Sequence, residues 1–185
     1  MKKLLTATLL LVFALVATTT AVSAQSASQS YIEKFKDNAI RIMHETGVPA
    51  SIVLGVAMHE SGSGKSAIAQ GLNNQFGVKG GGRVVYYRHN KKVTSAYKRY
   101  DSVLDSFKDF ARIMTERKQF SHLNDKLSQY DYKGWALGIQ RNGYASSRKW
   151  ASQVLGIIRK YNLNELDSTP DSTQTQKEIL ADNNQ

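Results

Sequence analysis

The chain contains no cysteine, so disulfide bonds and thiolate metal ligands are both excluded. The stability of the folded protein must therefore come from the packing of its interior. With 185 residues, the chain is long enough for one domain with a substantial core. Its histidines show no spacing typical of a shared metal site, and we expect neither a metal nor another cofactor. These histidines are His44, His59, His89 and His122.

Acidic residues are also absent from a long central stretch, since no Asp or Glu occurs between Ser61 and Tyr100. The C-terminal segment 164–185 has the opposite character, with five acidic side chains and one lysine. The formal net charge of the whole chain is +10. A basic surface of this kind favours anionic partners, although charge alone names no ligand.

A nucleotide-binding loop is missing as well, although "GSGKS" at residues 62–66 resembles part of one. A Walker A loop needs a glycine five residues before the glycine of GKS, and His59 occupies that position. No second nucleotide-binding element follows between Gln70 and Val78. The phosphate-binding interpretation is therefore disfavoured.

The first 24 residues are typical of a secretory signal peptide. Lys2 and Lys3 precede an apolar run from Leu4 to Ala17, and Val22-Ser23-Ala24 supplies the small residues of a cleavage site. The run is short for a membrane span, although an uncleaved anchor remains the alternative. We therefore predict an exported protein that begins at Gln25, without stable membrane insertion.

Apolar side chains recur at spacings of three and four in several segments, which is typical of amphipathic helices. One segment, "PASIVLGVAMHE", is rich in β-branched residues, but its length and the common face of Val53, Val56 and Glu60 favour a helix. Ser102 and Asp105 are spaced as in a capping box. Helices are predicted over residues 31–46 and 49–60, over a short segment that begins at Ala67, and after Ser102 with an apolar stripe that reaches Met114. Further helices are predicted over roughly 119–127, from near Asp131 to the stop at Gly143, and over about 147–161.

One β-hairpin is predicted among these helices, with strands at Arg83–Arg88 and Val93–Arg99. The expected fold class is mainly α (α+β), with a helical body, a small β-hairpin lobe and a groove between them. We assign residues 25–163 to this domain. Residues 164–185 are polar and are expected to form a disordered tail.

Glu60 is the first candidate for chemistry, because it lies on the apolar face of its helix directly before a glycine-rich turn. Partial burial and the negative end of the helix dipole both disfavour a charged carboxylate there. A carboxyl that keeps its proton can act as a general acid on a glycosidic oxygen. A solvent-facing glutamate at a helix end is the alternative.

Four motifs in order make the chain similar to glycoside hydrolase family 73, the N-acetylglucosaminidases of bacterial peptidoglycan. They are "HESGSGKS", "NNQFGVKG", "YKRYDSVLDSFKDF" and "QRNGYASSRKWASQVLGII". The resemblance implies a lysozyme-like fold and cleavage of the β-1,4 bond on the reducing side of N-acetylglucosamine. It implies Glu60 as the catalytic acid, Asn74 and Phe76 as a turn lining the groove, and Tyr144 facing the acid. Asn74 as a turn former, Phe76 as core and Tyr144 as a helix cap stay open as alternatives.

The chain departs from this family in its hairpin, where many members carry a second glutamate. Tyr86 occupies the corresponding position. The missing carboxylate could be replaced by the acetamide of the substrate, by Asp101, or by stabilisation from Tyr86 and Tyr87. Either tyrosine is a candidate for stacking on a sugar ring, but alternation along a strand allows only one of them to face the groove.

The sequence thus predicts a secreted endo-β-N-acetylglucosaminidase whose partner is the peptidoglycan glycan strand. A lytic transglycosylase also works with a single glutamate and is the nearest alternative. A non-catalytic cell-wall-binding protein is the second alternative. A nucleic-acid or membrane binder is disfavoured, because no arginine-rich run is present.

Overall fold

The computed structural model describes residues 27–170. Its helices are α1 (27–46), α2 (Ala50–Ser61), α3 (Ala67–Leu72), α4 (Val103–Glu116), α5 (His122–Lys126), α6 (Tyr132–Arg141) and α7 (Trp150–Lys160). Strands β1 (Lys79–Arg88) and β2 (Lys91–Tyr97) pair between α3 and α4, and a 3-10 helix covers Leu163–Ser168. The predicted fold class, mainly helical with a small β lobe, is confirmed.

Helix α2 is the centre of the helical body. Ten of its twelve residues are buried, including the β-branched Ile52, Val53 and Val56. A helix that is apolar on all sides is expected in the interior, and α7, α4 and α6 pack around it. The helical prediction for this segment is therefore confirmed, because burial within the helical body outweighs β propensity.

Helix α4 is amphipathic, with Phe107, Phe110 and Met114 buried. The predicted capping box at its start is present: Ser102 accepts from the backbone N–H of Asp105, and the Asp105 carboxylate accepts from that of Ser102. Two backbone amides at the helix start, which have no acceptor within the helix, thereby gain hydrogen-bond partners.

The hairpin closes through a two-residue turn at His89 and Asn90, which have φ angles of 49° and 59°. Two positive φ angles are typical of the type I′ turn that suits the twist of paired strands. Strand β1 begins at Lys79, four residues earlier than predicted, with an irregular register between Lys79 and Val84. Glycines 80–82 occupy this irregular part, and a bulge of this kind is difficult to foresee from strand propensity.

Two polar anchors hold the hairpin against the helical body. The buried Asn74 side chain donates to the carbonyls of Val78 and Lys98 and accepts from the Val78 amide. At the hairpin exit, Asp109 accepts hydrogen bonds from Lys98, Tyr100 and Arg112. Burial alone would raise the pKa of Asp109, but these donors outweigh it and lower the pKa to about 2.

The predicted domain boundary at residue 163 needs correction. The chain continues through the 3-10 helix, and Asp167 is buried against the first turn of α2. Its carboxylate accepts from the Ser51 amide at 2.8 Å and from the Ser51 hydroxyl at 2.7 Å. An acidic residue that caps a distant helix looks like part of a polar tail when only its neighbours in sequence are considered. The predicted signal peptide, residues 1–24, and residues 171–185 lie outside the described part.

Within residues 27–170, no helix has the length and apolar character needed to cross a membrane.

Candidate active site

Glu60 lies in the last turn of α2, beside a turn whose own hydrogen bonds are satisfied. Gly62 adopts a left-handed conformation and caps the helix by donating to the Met58 carbonyl. The Ser61 hydroxyl donates to the Ala57 carbonyl and accepts from the Gly64 amide at 2.7 Å. The "GSGKS" segment is therefore a helix C-cap that leads into α3.

A groove of about 450 Å³ opens in front of Glu60 between the helical body and the base of the hairpin. Gly77, Val78, Lys79 and Tyr97 line its hairpin side. Residues of the helical body complete it, namely Phe76, Ile113, Arg117, Gln119, Phe120 and the segment 143–146. Glu60 is the only carboxylate among these lining residues.

Trp150 holds the Glu60 carboxylate in place. Its indole Nε1 donates to Glu60 Oε1 over 2.7 Å. The indole is buried and has few ways to move, and the ring of His59 meets its edge with a centroid distance of 6.4 Å. A short hydrogen bond from a rigid donor fixes the rotamer of the carboxyl group at the mouth of the groove.

Tyr144 forms the wall next to Glu60. Its hydroxyl donates to the Phe76 carbonyl over 3.2 Å, and its ring packs against Trp150 and Phe110. Burial, followed by the negative charge of Glu60, raises the pKa of Tyr144 well above its usual value. The hydroxyl therefore remains a neutral hydrogen-bond donor at every physiological pH.

Phe76 and Asn74 shape the site from beneath. The Phe76 ring stacks on the Phe110 ring with 4.4 Å between the ring centroids, and it meets the Phe107 ring edge-on. These core contacts cover the face of the Phe76 ring, although Phe76 also borders the groove. Asn74 is fully engaged by backbone groups and does not line the groove. These contacts support the alternative in which Asn74 forms a turn and Phe76 belongs to the core.

Tyr86 and Tyr87 line a different groove, which shares no lining residue with the groove of Glu60. Tyr86 is 6% exposed and packs over Gly71, whereas Tyr87 is 67% exposed. Asp101 is exposed at the hairpin exit and is not among the residues that line the Glu60 groove. The structure brings together Glu60, Phe76 and Tyr144, and it leaves Tyr86, Tyr87 and Asp101 outside.

Two residues around Glu60 were not predicted from the sequence: Arg117, which lines its groove, and Trp150, which donates to its carboxylate. A buried indole N–H needs a hydrogen-bond acceptor, and this requirement is the signal that could have paired Trp150 with Glu60. Arg117 follows the last turn of α4, and no sequence spacing connects it with Glu60. Among residues 27–170, no three His, Asp or Glu side chains are grouped as metal ligands.

Comparison with known proteins identifies relatives of the whole described domain. The exo-glucosaminidase LytG of Bacillus subtilis (strain 168) is 27% identical over 162 residues, which are 80% of this chain and 56% of that protein. The peptidoglycan hydrolase FlgJ of Vibrio parahaemolyticus is also 27% identical, over 71% of this chain and 47% of that protein. The chain thus spans about half the length of these curated relatives.

Solved structures with the same fold include two catalytic domains. The catalytic domain of the Listeria monocytogenes autolysin Auto superposes with a TM-score of 0.60 at 23% identity, covering 76% of this chain and 87% of that one. The glycoside hydrolase domain of Salmonella typhimurium FlgJ gives 0.59 at 21% identity, covering 85% and 98%. These likenesses establish the lysozyme-like fold that the sequence motifs implied.

The family itself is decided by a match to residues 36–163, most of the described domain. The matching family is the glucosaminidase family, described as mannosyl-glycoprotein endo-β-N-acetylglucosaminidase. This range contains Glu60, its groove and Trp150. The chain therefore belongs to the glucosaminidases of glycoside hydrolase family 73.

Proposed function

We propose that the protein is a secreted peptidoglycan hydrolase that cleaves the β-1,4 bond on the reducing side of N-acetylglucosamine, with Glu60 as its general acid. The observation that carries this proposal is the position of Glu60, the sole carboxylate lining the groove between the lobes. The names of two relatives, an exo-glucosaminidase and a peptidoglycan hydrolase, support the same substrate class.

In the proposed mechanism, the Glu60 carboxyl gives its proton to the glycosidic oxygen as the bond to the sugar carbon breaks. The Trp150 indole donates to one carboxyl oxygen, which leaves the other free to face the leaving group. Tyr144 and Tyr97 offer aromatic walls to the sugar, and the hydroxyl of Tyr97 is a further candidate for contact with it.

The second catalytic group is proposed to be the acetamide of the substrate itself. Tyr86, Tyr87 and Asp101 do not line the groove, which weakens the two alternatives that relied on them. An acetamide oxygen can attack the neighbouring sugar carbon when no enzyme carboxylate is placed to do so. Water then opens the cyclic intermediate and retains the configuration of the sugar.

Digestion of purified peptidoglycan tests the proposal directly. Mass spectrometry of the products should show new reducing ends of N-acetylglucosamine released from within the strands. Products that end in 1,6-anhydro-N-acetylmuramic acid would instead identify a lytic transglycosylase. Release of single terminal sugars alone would contradict the endo mode of action.

A Glu60→Gln variant separates an enzyme from a non-catalytic wall-binding protein. The amide keeps the acceptor for Trp150 but has no proton to transfer, so lysis should fall by at least about a thousandfold while binding to peptidoglycan persists. Glu116→Gln, which changes an exposed glutamate of α4, serves as the control and should keep full activity. Absence of lysis by both the wild type and the variant would favour the wall-binding protein.

Export is a part of the proposal that requires its own measurement. If residues 1–24 are a cleaved signal peptide, the secreted protein should begin at Gln25, and its formal net charge should be +8 because Lys2 and Lys3 are lost. N-terminal sequencing of the protein recovered outside the cytoplasm decides the point. A protein that keeps Met1 and stays with the membrane fraction would indicate an uncleaved anchor.

A further inference from the structure

A second groove, larger than the first, lies between α3 and the outer edge of strand β1. Its volume is about 920 Å³, and it shares no lining residue with the groove of Glu60. Lys65 and Ser66 form one end, and Val85, Tyr87 and Arg88 lie along the strand side. We call it the α3–β1 groove. Tyr86, at the hairpin position where many family members carry a glutamate, is among its lining residues, but its side chain is buried.

The segment that builds this groove is strongly basic. Residues 61–100 contain eight Lys and Arg side chains and no acidic residue. Six of these cations are exposed and belong to none of the salt bridges found within residues 27–170. They are Lys65, Lys79, Arg83, Arg88, Lys91 and Lys92. Cations without an acidic neighbour give this lobe a positive potential that attracts anions.

Arg99 fixes the shape of the groove. Its guanidinium donates to the Gly71 carbonyl over 2.8 Å and to the Val85 carbonyl over 2.7 Å, so it joins α3 to the edge of β1. Both acceptors are neutral, and the charge of Arg99 therefore adds to that of Lys65 and Arg88. The lining of the groove thus contains three cationic side chains, Lys65, Arg88 and Arg99.

The backbone beside the groove is not available as a phosphate cradle. The amides of Ser63, Lys65 and Ser66 donate to the carbonyls of Met58, Gly62 and Ser61. The Gly64 amide donates to the Ser61 hydroxyl, and the Ala69 amide to the Ser66 hydroxyl. A nest for phosphate needs several free amides that converge on one point. In this segment, only the amides of Ala67 and Ile68, in the first turn of the six-residue helix α3, have no such partner, and two amides do not form a nest. The charged groups of the groove are therefore separate side-chain cations, which suit single charges spread along a polymer.

Tyr87 provides a stacking surface in the same groove. Its ring is 67% exposed, whereas Tyr86, the adjacent residue of β1, is buried against α3. Val85, on the same face of the strand as Tyr87, is also exposed. Sugar rings present C–H groups that pack on an aromatic face, and here such a face lies beside Arg88 and His89.

We propose that the α3–β1 groove binds an acidic polysaccharide, with sugar rings on Tyr87 and their carboxylates paired with Arg88 and Lys65. The partner class follows from the combination of an exposed aromatic ring and separate cations, with too few free amides to surround a phosphate group. This binding is independent of Glu60, and it would hold the protein near a polyanionic glycan whether or not the first groove cleaves its own substrate.

The test uses the chain from residue 25 to 185 and a fluorescently labelled oligogalacturonate, which carries one carboxylate on each ring. Fluorescence anisotropy should show saturable binding that weakens with added salt, and a neutral chitin oligosaccharide should not compete for it. The double variant Lys65→Gln/Arg88→Gln should weaken binding about tenfold, and Tyr87→Ser about fivefold.

Matched controls use residues of equal exposure elsewhere on the molecule. Tyr130 is 63% exposed and lies far from the groove in sequence, so Tyr130→Ser controls for Tyr87→Ser. Lys126→Gln/Arg141→Gln removes two exposed charges outside the groove. Both controls should bind oligogalacturonate within about twofold of the wild type. Glu60→Gln should bind normally, which separates this inference from the proposed hydrolase activity.

Three results would overturn the inference. The first is no saturable binding of oligogalacturonate. The second is binding that falls equally in the groove variants and in their controls. The third is binding of polyphosphate, single-stranded DNA or anionic lipid vesicles at least as tight as that of oligogalacturonate, with no effect of Tyr87→Ser, which would indicate a surface that recognises charge alone.

Discussion

Trp150 and Glu60 are ninety residues apart in the chain, and the indole Nε1–H of the first donates to Oε1 of the second over 2.7 Å. The contact joins the start of α7 to the end of α2, two helices that pack against each other. A charged or reacting carboxyl group is thereby held by a donor that cannot itself titrate.

Trp150→Phe should therefore slow the reaction while leaving most of the fold intact. Phenylalanine keeps an aromatic ring in the buried site but removes the N–H donor, so the Glu60 carboxyl loses its fixed orientation. We expect kcat on peptidoglycan to fall about 10- to 100-fold with KM changed less than about threefold.

Trp135→Phe is the matched control for this prediction. Trp135 is also buried, and its Nε1–H donates to the Ser128 carbonyl over 3.2 Å, away from the groove. Trp135→Phe should lower the melting temperature about as much as Trp150→Phe does, without lowering kcat. Equal losses of kcat in the two variants would show that Trp150 acts only through stability.

Asp167 gives folding stability a pH dependence that can be isolated. Burial raises its pKa to about 6, although the hydrogen bonds from Ser51 oppose the rise. The folded protein therefore holds a proton here between about pH 4 and pH 6 that the unfolded chain has released. The stabilising contribution is full below about pH 4 and is lost as the pH rises through 6.

Asp167→Asn removes this titration while keeping a side chain of similar size. Relative to the variant, the wild type should gain up to about 3 kcal/mol of unfolding free energy when the pH falls from 7.5 to 4. Urea denaturation at a series of pH values measures the difference. A constant difference between wild type and Asp167→Asn across this range would contradict the pKa assignment.

Asn74 is expected to stabilise the attachment of the hairpin to the helical body and not to contact the sugar. Asn74→Ala breaks three hydrogen bonds and leaves buried groups of Val78 and Lys98 without partners, which should cost about 3 kcal/mol of unfolding free energy. Asn38→Ala, on α1, should cost less than about 1 kcal/mol. A stable Asn74→Ala protein with weakened glycan binding would instead favour a direct role in the groove.

Substitution by alanine should lower the free energy of unfolding at Gly62 and raise it at Gly156. Neither added Cβ would meet another atom within 4 Å, so conformation alone decides the outcome. Gly62 has φ 60° at the C-cap of α2, where alanine should cost about 1 kcal/mol. Gly156 lies inside α7, where alanine should stabilise by up to about 1 kcal/mol.

Thermal unfolding of both variants checks this pair. If Gly62→Ala were neutral, the left-handed cap would not be the reason for glycine in the "GSGKS" segment. A destabilising Gly156→Ala would point to a close approach at α7 that the structure does not contain.

Regular elements were predicted well because their signals are local. The periodicity of α4 and the capping box of Ser102 and Asp105 depend on neighbours within one or two turns, and both are confirmed. The hairpin turn was predicted at residues 89–92 and lies within that range, at His89 and Asn90, because Lys91 and Lys92 already belong to β2. The start of β1 was missed because three glycines and a bulge carry no strand propensity.

The candidate site was harder to predict, because its side chains converge from distant segments. The position of Glu60 at a helix end was readable from "HESGSG", and the wall residue Tyr144 from the family motif. Neither Tyr86 nor Tyr87 lines the Glu60 groove: Tyr86 is buried against α3, and Tyr87 is exposed on the opposite face of β1.

The amino-acid sequence by itself determined the helical content, the hairpin and the glutamate that ends α2, since propensity, periodicity and capping act over a few residues. Only the tertiary structure decided which groups face that glutamate. The Trp150 indole, the Arg117 guanidinium and the Tyr97 ring reach its groove through the packing of separate elements. The burial of Asp167 against Ser51 arises in the same way, because hydrogen bonds between distant segments depend on distance in space and leave no periodic trace in the chain.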